Sequence, residues 1–174
     1  MNTKEELPLS EIELINTYKN ELQNYTLEQL RYKSEEEVWS IGQMYDHLII
    51  CAHEYLDSME TCATLNDEQP LGKTEFGEKL YKNGGFPPIK IRLPDELNDP
   101  PNNSDSKDEL ISRINQVILR LSQWESKVEN INPNYKVQHG GFGWLNAKEW
   151  YDLVYMHFRH HLRQKSDLEQ RLVK

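Results

Sequence analysis

Four times along the chain a Ser or Asn is followed three residues later by Glu or Gln, and an apolar run at helical spacing begins within the same few residues. The four sites are Ser10-Glu11-Ile12-Glu13, Ser40-Ile41-Gly42-Gln43, Ser106-Lys107-Asp108-Glu109 and Asn146-Ala147-Lys148-Glu149. In such a capping box the first side chain accepts from the third residue's backbone N–H, and the Glu or Gln reaches back to the first residue's N–H. Leu9 with Leu14, Trp39 with Met44, and Leu145 with Trp150 stand at the positions of a hydrophobic staple. A chain that starts four helices, each with one apolar stripe, has few ways to bury all four. The expected fold is all-α, a four-helix bundle.

The stripes follow the caps. In the first segment Ile12, Ile15, Leu22 and Tyr25 share a face, with Tyr18 and Leu30 extending it, and the helix is expected to reach about Lys33. In the second, Ile41, Met44, Leu48, Cys51, Tyr55 and Met59 alternate at three and four residues as far as Leu65-Asn66. The third carries Leu110, Ile114, Val117, Leu121, Trp124 and Val128; the fourth carries Trp150, Val154, His157, His161 and Leu168. Between the second and third lies a different composition, about residues 67–105, holding Pro70, Pro87, Pro88, Pro94, Pro100, Pro101 and the pair Gly84-Gly85. No helix crosses the Pro-Pro pairs. The stretch reads as a long proline-rich crossover loop between helices 2 and 3, with Ile89–Leu93 alternating as a short extended piece. Residues 1–174 are expected to form a single domain.

Composition excludes several functions. A net charge of -9 removes the basic face that nucleic acid or an anionic membrane surface requires. Mean hydropathy is -0.82, no run approaches transmembrane length, and Met1–Glu6 lacks the apolar core of a signal peptide. Cys51 and Cys62, three turns apart on one expected helix, are about 16 Å apart along its axis and cannot bridge each other. The expected location is the reducing cytoplasm.

Three of the six histidines fall within five residues, at His157, His160 and His161. A lone histidine on a helix is more often a hydrogen-bonded core or surface residue than a ligand, and His53 and His139 are read that way. Two on one core-facing stripe differ. Burying neutral imidazoles among apolar residues leaves polar atoms unpaired at about 1–3 kcal/mol each, and a cation removes that cost. His157 and His161, at i and i+4, share the stripe of Val154 and Leu168 and are the expected pair. His160 falls one residue round, with Asp167 below it, and is expected to turn toward a neighbouring helix or to stand behind the ligands. His47, on the edge of the second seam, is the best third ligand. His53 lies about 600° further round that helix and cannot easily reach the same ion. Phe158 occupies the place of the general-base Glu in H-E-x-x-H, which removes the metalloprotease reading. Three histidines without a fourth protein ligand leave positions open, as catalytic sites do.

Trp39-Ser40-Ile41-Gly42-Gln43-Met44-Tyr45-Asp46-His47-Leu48 resembles the W-s-x-x-q-x-x-x-H-l signature of DinB-like (DinB/YfiT) proteins. His139-Gly140-Gly141-Phe142-Gly143, followed by His157 through Gln164, resembles that superfamily's H-P-x-F-G turn and its H-x-x-H-H-x-x-Q helix, with Gly140 where relatives often have proline. The resemblance implies a four-helix bundle holding a divalent metal ion on His47, His157 and His161. It also implies association as a homodimer. Relatives include S-transferases that use low-molecular-weight thiols such as bacillithiol or mycothiol, a mycothiol-dependent maleylpyruvate isomerase among them. Others are described as metal-dependent hydrolases.

The leading expectation is therefore a metal-dependent transferase that activates a low-molecular-weight thiol against small electrophiles. A thiol beside a cation loses its proton, and the thiolate is the nucleophile. Zn or Ni is expected before Fe, Mn or Cu. Asp46, Glu54 and Tyr155 are candidates for a proton route. A hydrolase, in which water takes the thiol's place, is the alternative. A metal-binding stress protein without catalysis is the third reading.

Overall fold

The computed structural model describes residues 9–89 and 99–172. Its elements are α1 (Glu11–Glu21), α2 (Leu27–Arg31), α3 (Ile41–Thr64), α4 (Glu75–Asn83), α5 (Lys107–Trp124), β1 (Lys136–His139), β2 (Gly143–Asn146) and α6 (Ala147–Leu172). The protein is mostly helical with one small two-stranded sheet. All four expected capping boxes form: the reciprocal bonds are present at Ser10/Glu13, Ser40/Gln43 and Ser106/Glu109, and at Asn146/Glu149 both measure 2.9 Å.

The first helix does not run on to Lys33. It tightens into a 3₁₀ turn at Leu22–Asn24, the backbone opens at Tyr25, and α2 restarts from Thr26. Thr26-Leu27-Glu28-Gln29 is itself a fifth capping box, a signal present in the sequence. The break turns Tyr25 so that its hydroxyl reaches Glu169 on α6.

Burial follows the apolar stripes. Ile15, Leu22, Ile41, Met44, Leu48, Met59, Leu110, Ile114, Val117, Leu121, Val154 and Phe158 are all buried in one cluster. The most extensive packing is of α3 on α6, and α1 and α3 both pack on α5 and α6. The 24-residue α3 and 26-residue α6 thus lie side by side over much of their length, which sets His47 beside the His157 turn. Tyrosines lock the centre: Tyr45 donates to the Tyr18 carbonyl at 2.8 Å and Tyr18 to the Phe158 carbonyl at 2.7 Å.

Two parts of the chain differ from the sequence expectation. The stretch 67–105 is not loop throughout, because α4 lies within it, capped by Thr74 and ended by Gly84 at φ 67°. The glycine-rich stretch after α5 folds as a hairpin, pairing Lys136 with Asn146 and His139 with Gly143. The two hold each other. Trp144 N–H donates to Gly72 at 3.0 Å and Thr74 N–H to Phe142 at 2.9 Å. Gly143 sits at φ 84°, and a Cβ there would stand 2.6 Å from the Thr74 nitrogen. A Cβ on Gly77 would stand 2.3 Å from the Phe142 carbonyl oxygen. Only glycine admits that approach. The alternating piece expected at Ile89–Leu93 lies almost wholly outside the described residues.

The end of the long connection is sewn to the start of α3. Asn102 N–H donates to Asp46 at 2.9 Å, Gln43 to the Pro101 carbonyl at 3.0 Å, and Arg113 to Asp46 at 2.7 Å. No helix among the described residues is long and apolar enough to cross a membrane.

Candidate metal centre

His47 lies one turn and a half into α3, after the cap at Ser40, and His157 and His161 lie one turn apart on α6. Their three Nε2 atoms converge. His157 Nε2 is 3.1 Å from His47 Nε2 and 3.1 Å from His161 Nε2. One ligand atom from each residue lies within 4.8 Å of the other two, close enough to bind a metal ion. His157 is buried, and His47 and His161 keep some exposure.

The imidazoles fit a cation better than they fit one another. A neutral ring has a single N–H. If each proton sits on Nδ1, three lone pairs face one another across about 3 Å. If His157 carries it on Nε2, that group donates to one neighbour and Nδ1 is left as a bare acceptor. In either case a buried atom goes unsatisfied, and among the described residues His157 Nδ1 has no hydrogen-bond partner. A cation at the convergence point uses all three lone pairs at once.

The outer nitrogen of His161 supports that tautomer, for its Nδ1 faces Gln164 Oε1 at 2.5 Å; Cys51 Sγ lies beside the His47 ring, 3.8 Å from Nδ1 and 4.0 Å from Nε2. Acceptors at Nδ1 put the hydrogen there and free Nε2 for a metal, the usual arrangement around ligating histidines. Burial holds His47 at about 4, against the pull of Asp46 in the other direction, and burial holds His161 at about 4 as well. Burial, reinforced by the charges of His161 and His47, keeps His157 well below the ordinary imidazole range. All three are neutral at pH 7, the form that binds metal.

Aromatic rings close in around the triad. Trp39 packs 5.1 Å from the His47 ring, Tyr55 lies 5.7 Å from His157, and Phe86 lies 6.0 Å from His157. Sequence reasoning had Trp39 as a staple and as the start of the superfamily signature, had Tyr55 only as seam, and passed over Phe86. The remaining histidines lie outside the converging set, although the His160 ring packs 5.2 Å from that of His161. His160 is half-buried with its ring 5.0 Å from Phe86, off the convergence point. His53 Nδ1 takes a bond from Arg120 at 2.9 Å. His139 Nδ1 accepts from Gly141 and Phe142 N–H at 3.0 and 3.2 Å, which closes the hairpin turn.

The candidate proton-route residues are placed elsewhere. Asp46 is buried and spends both oxygens on Arg113 and Asn102, and Glu54 is exposed. Tyr155 lines a separate cavity of about 270 Å³ with Tyr81, Lys148 and Asp152. Burial, with Glu54 and Asp46 adding to it, pushes the Cys51 thiol up to about 12, so that it stays protonated.

A mostly helical protein whose longest two helices bring three imidazoles to one point defines a class of metal-binding helical proteins. Residues 15–164 match the DinB superfamily, and the chain belongs to it. No curated protein and no solved structure matches the chain. The signature residues now have physical roles: Gln43 completes a cap and ties Pro101, and Gln164 orients His161.

Proposed function

We propose that the chain is an enzyme that holds a divalent metal ion on His47, His157 and His161 and transfers a low-molecular-weight thiol to small electrophiles. The observation that carries this reading is the convergence of three neutral Nε2 atoms with no carboxylate among them. When bound, a divalent ion held by neutral imidazoles keeps its full charge and favours the thiolate form of a thiol beside it. The protein's own part is to keep the three rings deprotonated by burial, to fix His161 through Gln164, and to hold the aromatic walls around them. Zinc and nickel suit three imidazoles best, with iron, manganese and copper as alternatives.

The four-helix-bundle reading of the fold is supported by the packing of α1 and α3 on both α5 and α6 around one core. It treats residues 1–174 as one domain. The proposal includes a cytoplasmic location, in keeping with the free thiols of Cys51 and Cys62, and a homodimeric assembly, which rests on the superfamily resemblance.

Metal content of the purified protein is the decisive measurement. Wild type is expected to hold close to one divalent ion, His47→Ala and His161→Ala to lose it, and His160→Ala to keep it. Metal-free wild type, or full retention in both ligand variants, refutes the site. Loss in His160→Ala as complete as in His161→Ala refutes the choice of pair. Consumption of monochlorobimane that requires both metal and an added thiol supports the transferase. Turnover of an ester or lactone without thiol points to the hydrolase instead.

A further inference from the structure

We propose that the Tyr55 hydroxyl donates a hydrogen bond to the anionic ligand atom presented on the open side of the three-histidine site. This rests on the metal-binding reading above and adds to it a residue that touches the ligand.

The placement begins with the helix. His47, Cys51 and Tyr55 stand at i, i+4 and i+8 on α3, so they lie along one face. From His47 to Tyr55 the rise is about 12 Å, and helical side chains lean toward the N-terminus. A tyrosine there leans back over the turn of Cys51 toward His47. Its ring lies 5.7 Å from that of His157, nearly edge-on, so it borders the triad from the α3 side. Trp150 at 5.9 Å and His139 at 6.3 Å also pack against the ring.

The hydroxyl is uncommitted. Of six other tyrosines in or against the core, five give theirs to a protein acceptor, Tyr18 to Phe158, Tyr25 to Glu169, Tyr45 to Tyr18, Tyr81 to Glu149 and Tyr151 to Leu121; Tyr155, at the separate cavity, is the other one without a partner among the described residues. Tyr55 makes no hydrogen bond among the described residues and is only half-buried. Tyr55 brings a hydroxyl donor to the His157 side of the site. Phe86 offers the ligand only apolar surface, Asp46 is paired with Arg113, and Gln164 is taken by His161, while the Trp39 indole packs on the His47 side. A phenol keeps its proton at neutral pH, since its ordinary value is about 10, so it donates to a thiolate, hydroxide or other anion without competing for the metal.

The test uses the full chain freed of metal with a chelator, then loaded with cobalt(II), with azide as the anionic probe. Wild type and Tyr55→Phe are compared by cobalt absorption and thermal unfolding. The expected result is unchanged cobalt affinity and Tm in Tyr55→Phe, with azide binding weakened about tenfold, in line with loss of one hydrogen bond to a charged acceptor. Equal azide affinity in the two proteins overturns the assignment while leaving the metal site standing. Loss of cobalt affinity in Tyr55→Phe also overturns it, because the hydroxyl would then support the site rather than its ligand. A wild type that takes up no cobalt overturns the metal reading and Tyr55's role with it.

Discussion

Acid should loosen the metal-free protein through the triad before it does so through the rest of the fold. His47 and His161 are each held at about 4 in the folded chain against 6.5 for a free imidazole. Between those values the unfolded chain binds protons that the folded chain refuses, so unfolding becomes easier as pH falls. The contribution is complete above about 6.5 and is lost progressively down to about 4. At pH 5 the loss comes to about 1–2 kcal/mol for each of the two rings, allowing for the solvent that still reaches them. His157 adds in the same direction. The assay is urea unfolding in the presence of EDTA at pH 7.5, 6 and 5, comparing wild type with His47→Gln/His161→Gln. His53 and His139, also lowered by burial, are common to both proteins and cancel in the difference. The double variant should lose about 2–4 kcal/mol less than wild type over that range. Parallel losses in the two proteins would show that the triad is not the proton-excluding cluster described here. Saturating zinc at pH 7.5 should raise wild-type stability by about 2.7 kcal/mol at a hundredfold excess over its Kd, and should leave the double variant unmoved.

Gln164→Leu removes the acceptor at His161 Nδ1 and should weaken metal affinity about tenfold to a hundredfold without unfolding the chain, measured by competition with a chromophoric chelator. Unchanged affinity would mean that the ring is oriented by packing alone. Arg113→Ala strips the cation from a buried Asp46 and should cost about 3 kcal/mol in urea unfolding, with the metal still bound. A cost under about 0.5 kcal/mol would place that pair among ordinary surface ion pairs.

Much of the site was readable because helical spacing is rigid. His157 and His161 had to share a face at i, i+4, and that face had to be the one that Val154 and Leu168 bury. His47 was harder to place. Its edge position on the α3 seam allowed it to meet α6, but only the close packing of α3 along α6 brings its Nε2 to 3.1 Å from His157. Asp46, beside it in sequence, looked equally available for chemistry. The structure gives it to Arg113, sixty-seven residues away, a partner that local pattern does not reveal.

Phe86 and α4 were missed for a related reason. A nine-residue helix is marginal alone and exists here because Gly77 lets it sit directly against the Phe142 carbonyl. The hairpin was passed over because its pairing depends on Gly143 at positive φ and on a third segment, Gly72–Thr74, bonding to its edge.

What the sequence determined by itself was local: where helices begin, through side chains bonding their own backbone within three residues, and which face of each is apolar. It also determined that two histidines would stand together. What only the tertiary structure decided was which atoms from distant helices meet. It set His47 opposite the α6 pair, left the Tyr55 hydroxyl without a partner among the described residues beside His157, and took Asp46 away from the triad. Capping and periodicity are short-range and act within a few residues. A site assembled from α3 and α6 depends on how whole faces pack, and that is settled by the burial of the entire core at once.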